Sequence, residues 1–128
     1  MKNLLIILML ALFMPTEEDT IRVTATVYNP VKSQCLGNPL TTADGSIINV
    51  AKLNRGEIKW IAVSQDLLKI FKFGDKVEVI SDDELISGVY EVHDTMPKRW
   101  TKKIDILMPS KINKGVWKVK IRKYEERN

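Results

Sequence analysis

Two aspartates carry the chemistry that this chain could perform. Asp94 lies near the end of Gly88-Val89-Tyr90-Glu91-Val92-His93-Asp94-Thr95, and Asp105 lies inside Lys103-Ile104-Asp105-Ile106-Leu107. Carboxylates are disfavoured in strand interiors and on half-buried surfaces, so a pair set among strand-forming residues needs a reason. One reason is structural, since a carboxylate can tie loop amides together. The other is chemical, since two carboxyl groups in a cleft can divide acid and base roles between them.

Strict alternation puts Tyr90, Val92 and Asp94 on one face of their strand and Val89, Glu91 and His93 on the other. Asp94 then follows two apolar or aromatic side chains, and partial desolvation there favours the protonated acid. Breaking a glycosidic bond needs such an acid, because the leaving oxygen must receive a proton. The competing reading is that Asp94 caps the following loop. Asp105 lies on the face opposite Ile104 and Ile106, where a purely structural role as an acceptor is equally open. His93 points away from Asp94 in this reading, which argues against a His–Asp relay. One histidine and one cysteine, Cys35, make no zinc site. Cys35 reads as a small buried hydrophobe. Asp82-Asp83-Glu84 lacks the calcium-loop spacing, and neither a phosphate-binding glycine loop nor a serine elbow is present. No cofactor is implied.

The elements that must position the pair are strands. Ile21 to Tyr28 alternates cleanly, with Ile21, Val23, Ala25 and Val27 on one face, and Asn29-Pro30 ends it. A long loop follows. Lys59-Trp60-Ile61-Ala62-Val63 reads as a strand buried on both sides. Gln65 to Phe71 has helical spacing at Leu67, Leu68 and Phe71. Phe73-Gly74-Asp75 turns into the strand Lys76 to Ile80. Ile86 to Asp94, Ile104 to Leu107 and Trp117 to Arg122 complete the set. About six short strands with one or two short helices predict an all-β fold, a small barrel that leaves no exposed edge.

The chain has 128 residues, is 45% hydrophobic and carries a formal charge of +4, which suits one domain. Lys98, Arg99, Lys102 and Lys103 cluster in one loop, while Lys118, Lys120, Arg122 and Lys123 line one strand. Neither run is dense enough to argue nucleic acid, and both read as solvated surface. Lys2, the apolar run Leu4 to Met14, Pro15 and an acidic break read as a signal peptide or N-terminal anchor over residues 1–19, with the barrel over 20–128. Export to the periplasm or cell envelope follows, with membrane contact only through that segment.

The sequence resembles the double-psi β-barrel proteins of bacterial cell envelopes, namely the 3D domain (named for three aspartates) and the rare lipoprotein A-like domain of lytic transglycosylases. Expansins and family 45 endoglucanases are similar more distantly. The pieces that carry the resemblance run in order: Thr24 to Tyr28, Cys35 with Thr42-Ala43-Asp44-Gly45, Trp60 to Ser64, Phe73 to Val77, His93-Asp94-Thr95 and Lys103 to Ile106. The resemblance implies a six-stranded double-psi barrel that acts on peptidoglycan or another polysaccharide. It implies lytic cleavage of glycan strands with Asp94 as acid/base and Asp105 as supporting carboxylate or as the acid itself. Tyr28, Thr42, Thr95 and Trp100 would bind the substrate, without a metal. Ser64 stands where the family has its third aspartate, and Met96-Pro97-Lys98-Arg99-Trp100 stands where it has two glycines. These departures point to an altered ligand, or to a non-catalytic barrel that binds glycan or another envelope component.

Overall fold

A computed structural model of the chain describes residues 19–31 and 37–126. The N-terminal segment expected to direct export, and Cys35, lie outside the described residues. Six strands close into a barrel: β1 (Ile21–Tyr28), β2 (Trp60–Val63), β3 (Lys76–Ile80), β4 (Gly88–Thr95), β5 (Lys103–Leu107) and β6 (Val116–Lys123). Their order around the barrel is β1-β5-β2-β4-β3-β6. β1 with β5 and β2 with β4 pair in parallel, and the remaining neighbours are antiparallel. The fold is the expected all-β double-psi barrel with one short helix.

The alternation read in β1 and β6 fills the barrel interior. Val23, Ala25, Ile61, Val63, Val77, Val79, Val92, Ile104, Ile106, Val119 and Ile121 interlock there, and Phe71 and Ile86 join the same core. Closure leaves no strand edge unpaired, which suits strands of only four to eight residues. β2 is covered on both faces, as its apolar run suggests. Ile61 and Val63 face inward, while Ala62 packs outward with Tyr28, Ile48, Leu53, Met96 and Leu107 in a second, smaller core.

That outer core is roofed by a helix that the sequence reading missed. α1 (Val50–Asn54) starts at Asn49, whose side chain accepts the Lys52 amide at 3.0 Å, and it buries Leu53. The helix expected over Gln65–Phe71 is instead a run of tight turns, in which Leu67, Leu68 and Ile70 donate to the carbonyls three residues back. The helical spacing of Leu67 and Phe71 was real, because both are buried, but one turn suffices to place them.

The loop from β4 to β5 is pinned at its far end. The Asp66 carboxylate accepts the Lys102 amide at 3.0 Å, and the Ser64 hydroxyl accepts the Lys103 amide at 3.1 Å. Lys102 has φ +44°, a left-handed conformation that costs an L-residue about 1–2 kcal/mol. Ser64 is fully buried, and its hydroxyl holds the start of β5.

Asn29 ends β1 and fixes the chain after β5. It is 1% exposed, and its amide donates to the carbonyls of Met108, Pro109 and Ile112 at 2.8–3.0 Å. Replacing Asn29 with Ala leaves those carbonyls short of donors, so Asn29→Ala is expected to lower unfolding free energy by about 1–3 kcal/mol. Urea titration checks this: the midpoint should fall with the slope unchanged, and an unchanged midpoint would refute the role.

Candidate acidic furrow

The site is built around β2. Ala62 pairs with Asp105 on its antiparallel neighbour β5 and with Asp94 on its parallel neighbour β4. Thr26 of β1 pairs with Asp105 in turn. One rung therefore reads Thr26–Asp105–Ala62–Asp94 across four strands of the outer face. The two aspartates stand two strand spacings apart, about 10 Å between backbone positions. Alanine between them keeps the intervening volume small.

Asp94 reaches this face through an irregularity that alternation could not show. β2 pairs Ile61 with Val92 and then Ala62 with Asp94, so His93 is an extra residue in β4. Such a bulge re-aims the side chains that follow it. Val92 stays in the core, and Asp94 turns outward beside Asp105 instead of following Val92 inward. The expected shared face of Val92 and Asp94 is corrected on this ground. His93 keeps the face of Glu91, to which its Nε2 is bonded at 2.9 Å.

The segment 41–47 folds over the bulge as a tight hairpin, closed by a bridge between Thr41 and Ile47 and by Gly45 at φ +86°. Asp44 is its knot. One carboxylate oxygen accepts from the Thr42 hydroxyl at 2.6 Å and from the Ser46 amide at 3.0 Å. The other lies 2.6 Å from His93 Nδ1. The Asp44 amide donates to the His93 carbonyl at 3.3 Å, and Trp60 packs on the imidazole with ring centroids 4.3 Å apart. Burial pushes the Asp44 carboxyl up, but the bonds from Thr42, His93 and Ser46 outweigh it and bring it down to about 2. The docked hairpin then presents the Ala43 amide to Asp94 at 3.1 Å.

Asp94 Oδ1 thus accepts from Ala43 and from Thr95 at 2.9 Å, and the Tyr28 hydroxyl lies 3.4 Å from Oδ2. Asp105 Oδ1 accepts from the Thr26 hydroxyl at 2.9 Å. No lysine or arginine pairs with either carboxylate among the described residues. Burial raises the Asp94 carboxyl above its ordinary range; the bonds from Thr95, Ala43 and Tyr28 only partly oppose it, and the charge of Asp44 adds to the rise. Burial likewise raises Asp105, against the Thr26 bond and the Lys103 charge, and the charge of Asp94 raises it further. Both groups hold protons more tightly than free carboxyls, and each disfavours the charged form beside it.

The other sequence-derived candidates divide into supports and one exposed ring. Tyr28 is buried apart from its hydroxyl contact with Asp94. Thr42 is 5% exposed and commits its hydroxyl to Asp44, while Thr95 donates its own to the Val63 carbonyl at 2.9 Å. Trp100 is 40% exposed, with Lys103 Nζ 3.9 Å and the Arg99 guanidinium 5.3 Å from its ring centre. Thr26, Ala62, Asp44 and the Ala43 amide were missed. Thr26 was within reach, since it shares a face of β1 with Tyr28. Among the described residues no group of three or more His, Cys, Asp or Glu is placed to hold a metal ion.

No protein-family model matches the sequence, and no curated protein matches it. Solved structures do. A point mutant of Clavibacter michiganensis expansin in complex with cellohexaose superposes with a TM-score of 0.58 at 12% identity, covering 85% of this chain and 52% of that one. The apo form of Clavibacter michiganensis expansin gives a TM-score of 0.58 at 14% identity with the same coverage. The chain spans about half the length of these structures, and at such identities the likeness is one of fold: the described barrel is expansin-like in architecture.

Proposed function

We propose that this barrel binds a polysaccharide of the bacterial cell envelope along the outer face of β1, β5, β2 and β4, with Asp94 and Asp105 accepting sugar hydroxyls. The observation that carries the reading is the shared rung, which sets two partly exposed carboxylates, neither in an ion pair among the described residues, on one outer face. Sugars present dense arrays of hydroxyl donors, and acceptors held by neutral neighbours keep lone pairs free for them. The exposed Trp100 ring beside Lys103 supplies the apolar surface that a sugar face needs. The expansin fold and the cellohexaose bound by that structure support a saccharide as ligand. Export to the envelope belongs to the same proposal.

A second reading has its own observation. The Asp94 and Asp105 carboxyls are both raised, by burial first. A carboxyl whose burial favours its protonated form is suited to protonate a glycosidic oxygen, and the partner carboxylate can take up a proton in return. Asp94 would be the acid of a lytic transglycosylase-like cleavage of peptidoglycan, in which the sugar's own 6-hydroxyl displaces the leaving oxygen. The loop Met96–Trp100 bears on this. Met96 is buried in the outer core and Pro97 follows it, so the chain enters the loop as a side-chain-bearing wall, where glycines would leave open backbone. That favours binding over turnover.

Incubation with purified peptidoglycan and with cellohexaose separates the two. The binding reading expects saturable association and no released fragments, with Asp105→Ala weakening affinity about tenfold. The cleavage reading expects anhydro-ended fragments by mass analysis, reduced about 10²–10⁴-fold in Asp94→Asn. Neither association nor fragments with either glycan would sink both.

The raised carboxyls also set a stability signature. A group with a raised folded-state pKa contributes stability that is full below the unfolded value and is lost as pH rises through the folded value. Asn mimics the protonated form at every pH. Asp94→Asn and Asp105→Asn are therefore expected to melt higher than the parent at pH 7, and the gain should shrink towards pH 4. A lower melting temperature at pH 7 for both variants would assign the aspartates to structure alone.

A further inference from the structure

His93 is the residue that the bulge sets aside, and its imidazole is claimed on both sides. Nδ1 lies 2.6 Å from Asp44 Oδ2, and Nε2 lies 2.9 Å from Glu91 Oε2. An ionised carboxylate only accepts, so both contacts are hydrogen bonds only when both ring nitrogens carry protons. The arrangement is that of an imidazolium. Asp44 supports it, since its carboxyl is brought down to about 2 and stays ionised. The other charged groups around the ring come from two strands. β3 brings Lys76, which pairs with Glu91 across the sheet and is bonded to Glu126. β4 brings Asp94, the next residue along, while β2 packs the uncharged Trp60 ring on the imidazole.

With one ring proton fewer, two carboxylates compete for a single N–H. Ser46 decides between them. Its hydroxyl lies 3.1 Å from Nδ1 and donates there once that nitrogen is bare. Ser46 and Glu91 then satisfy both ring nitrogens, and Asp44 is the group left out. The other tautomer, with the proton on Nδ1, sets a bare Nε2 against the Glu91 carboxylate. The hairpin 41–47 keeps the bonds that Asp44 accepts from the Thr42 hydroxyl and the Ser46 amide. Its tie to β4, however, passes from a charge-assisted bond to a neutral one, roughly half as strong. The Ala43 amide rides on that tie, 3.1 Å from Asp94 Oδ1. Ala43 and Thr95 together fix that oxygen and so the rotamer of Asp94. An acceptor held in one geometry binds more tightly than one free to turn.

We propose that His93 is a positioning residue for Asp94: as imidazolium it holds the hairpin and its Ala43 amide in place, and loss of a ring proton loosens the hairpin and weakens saccharide binding. This regulation rests on the polysaccharide reading of the site. Binding through Asp94 is then stronger on the acidic side of the His93 titration than on the basic side.

Nuclear magnetic resonance of the full chain follows the His93 ring and the Ala43 amide through one pH titration, and calorimetry measures cellohexaose binding over the same range. The Ala43 amide is expected to shift with the His93 midpoint and, above it, to exchange about tenfold faster than base catalysis alone accounts for. Cellohexaose affinity should fall about fivefold across the same step. Glu91→Gln separates the latch from other causes. Its introduced amide can donate to Nε2 and leave the Nδ1 proton to Asp44, so both steps should vanish while the acid-side affinity is kept. The inference is overturned if Ala43 ignores the His93 titration, if cellohexaose affinity is flat through it, or if Glu91→Gln retains either step, as a step set by the Asp94 carboxyl would be retained. If cellohexaose binds at no pH while Ala43 follows His93, the saccharide reading falls and the latch survives it.

Discussion

One extra residue in β4 decides where the chemistry lies. Without the bulge at His93, Asp94 would follow Tyr90 and Val92 into the barrel, where an ionised carboxylate has no water and no counter-charge. That burial costs far more than the ladder bond a bulge gives up. The bulge turns Asp94 outward to the rung of Asp105 and leaves the His93 carbonyl available to the Asp44 amide. Asp44 and Glu91 then bracket the imidazole, so the residue displaced from the ladder becomes the anchor of the hairpin over the site. Asp94, its Ala43 donor and the hairpin are consequences of the same insertion.

Closure of the barrel does the rest of the positioning. β4 and β5 are consecutive in the chain, yet β2 lies between them, parallel to one and antiparallel to the other. This order brings their ends onto the two flanks of a strand only four residues long. The small outward residue available there is Ala62; a larger one would press into Tyr28, Met96 and Leu107 and part the carboxyls. The acidic pair thus depends on packing in the outer core as much as on its own side chains.

Much of this frame was legible because its signals are periodic. β1 and β6 alternate without a break, and β2 reads as a strand covered on both faces. Asp105 lies opposite Ile104 and Ile106 as alternation requires, and both isoleucines are buried. The failures share a cause too. The bulge carries no glycine or proline to mark it, so counting by twos ran through His93 and put Asp94 on the wrong face. α1 is five residues long, too short for a helical period to show, and only its Asn49 cap could have betrayed it. Gln65–Phe71 had the spacing of a helix in the span of a turn. The cross-strand opposition of Arg22 and Lys120 is invisible in one dimension, because it exists only once the register is known.

The charges on the outer face follow a rule that composition conceals. A net charge of +4 suggests a mild, even basicity. In the folded chain, the outer face of β1 touches the aspartates of β4 and β5 at one end and, with Arg22, runs beside Lys102, Lys118 and Lys120 at the other. The acidic end is not arranged for stability: burial first, and then a neighbouring carboxylate's charge, raises each aspartate. Separation of acids and bases along this face leaves a field gradient along it. Such a gradient orients a ligand whose own charge is uneven, and it does so before any short-range contact forms.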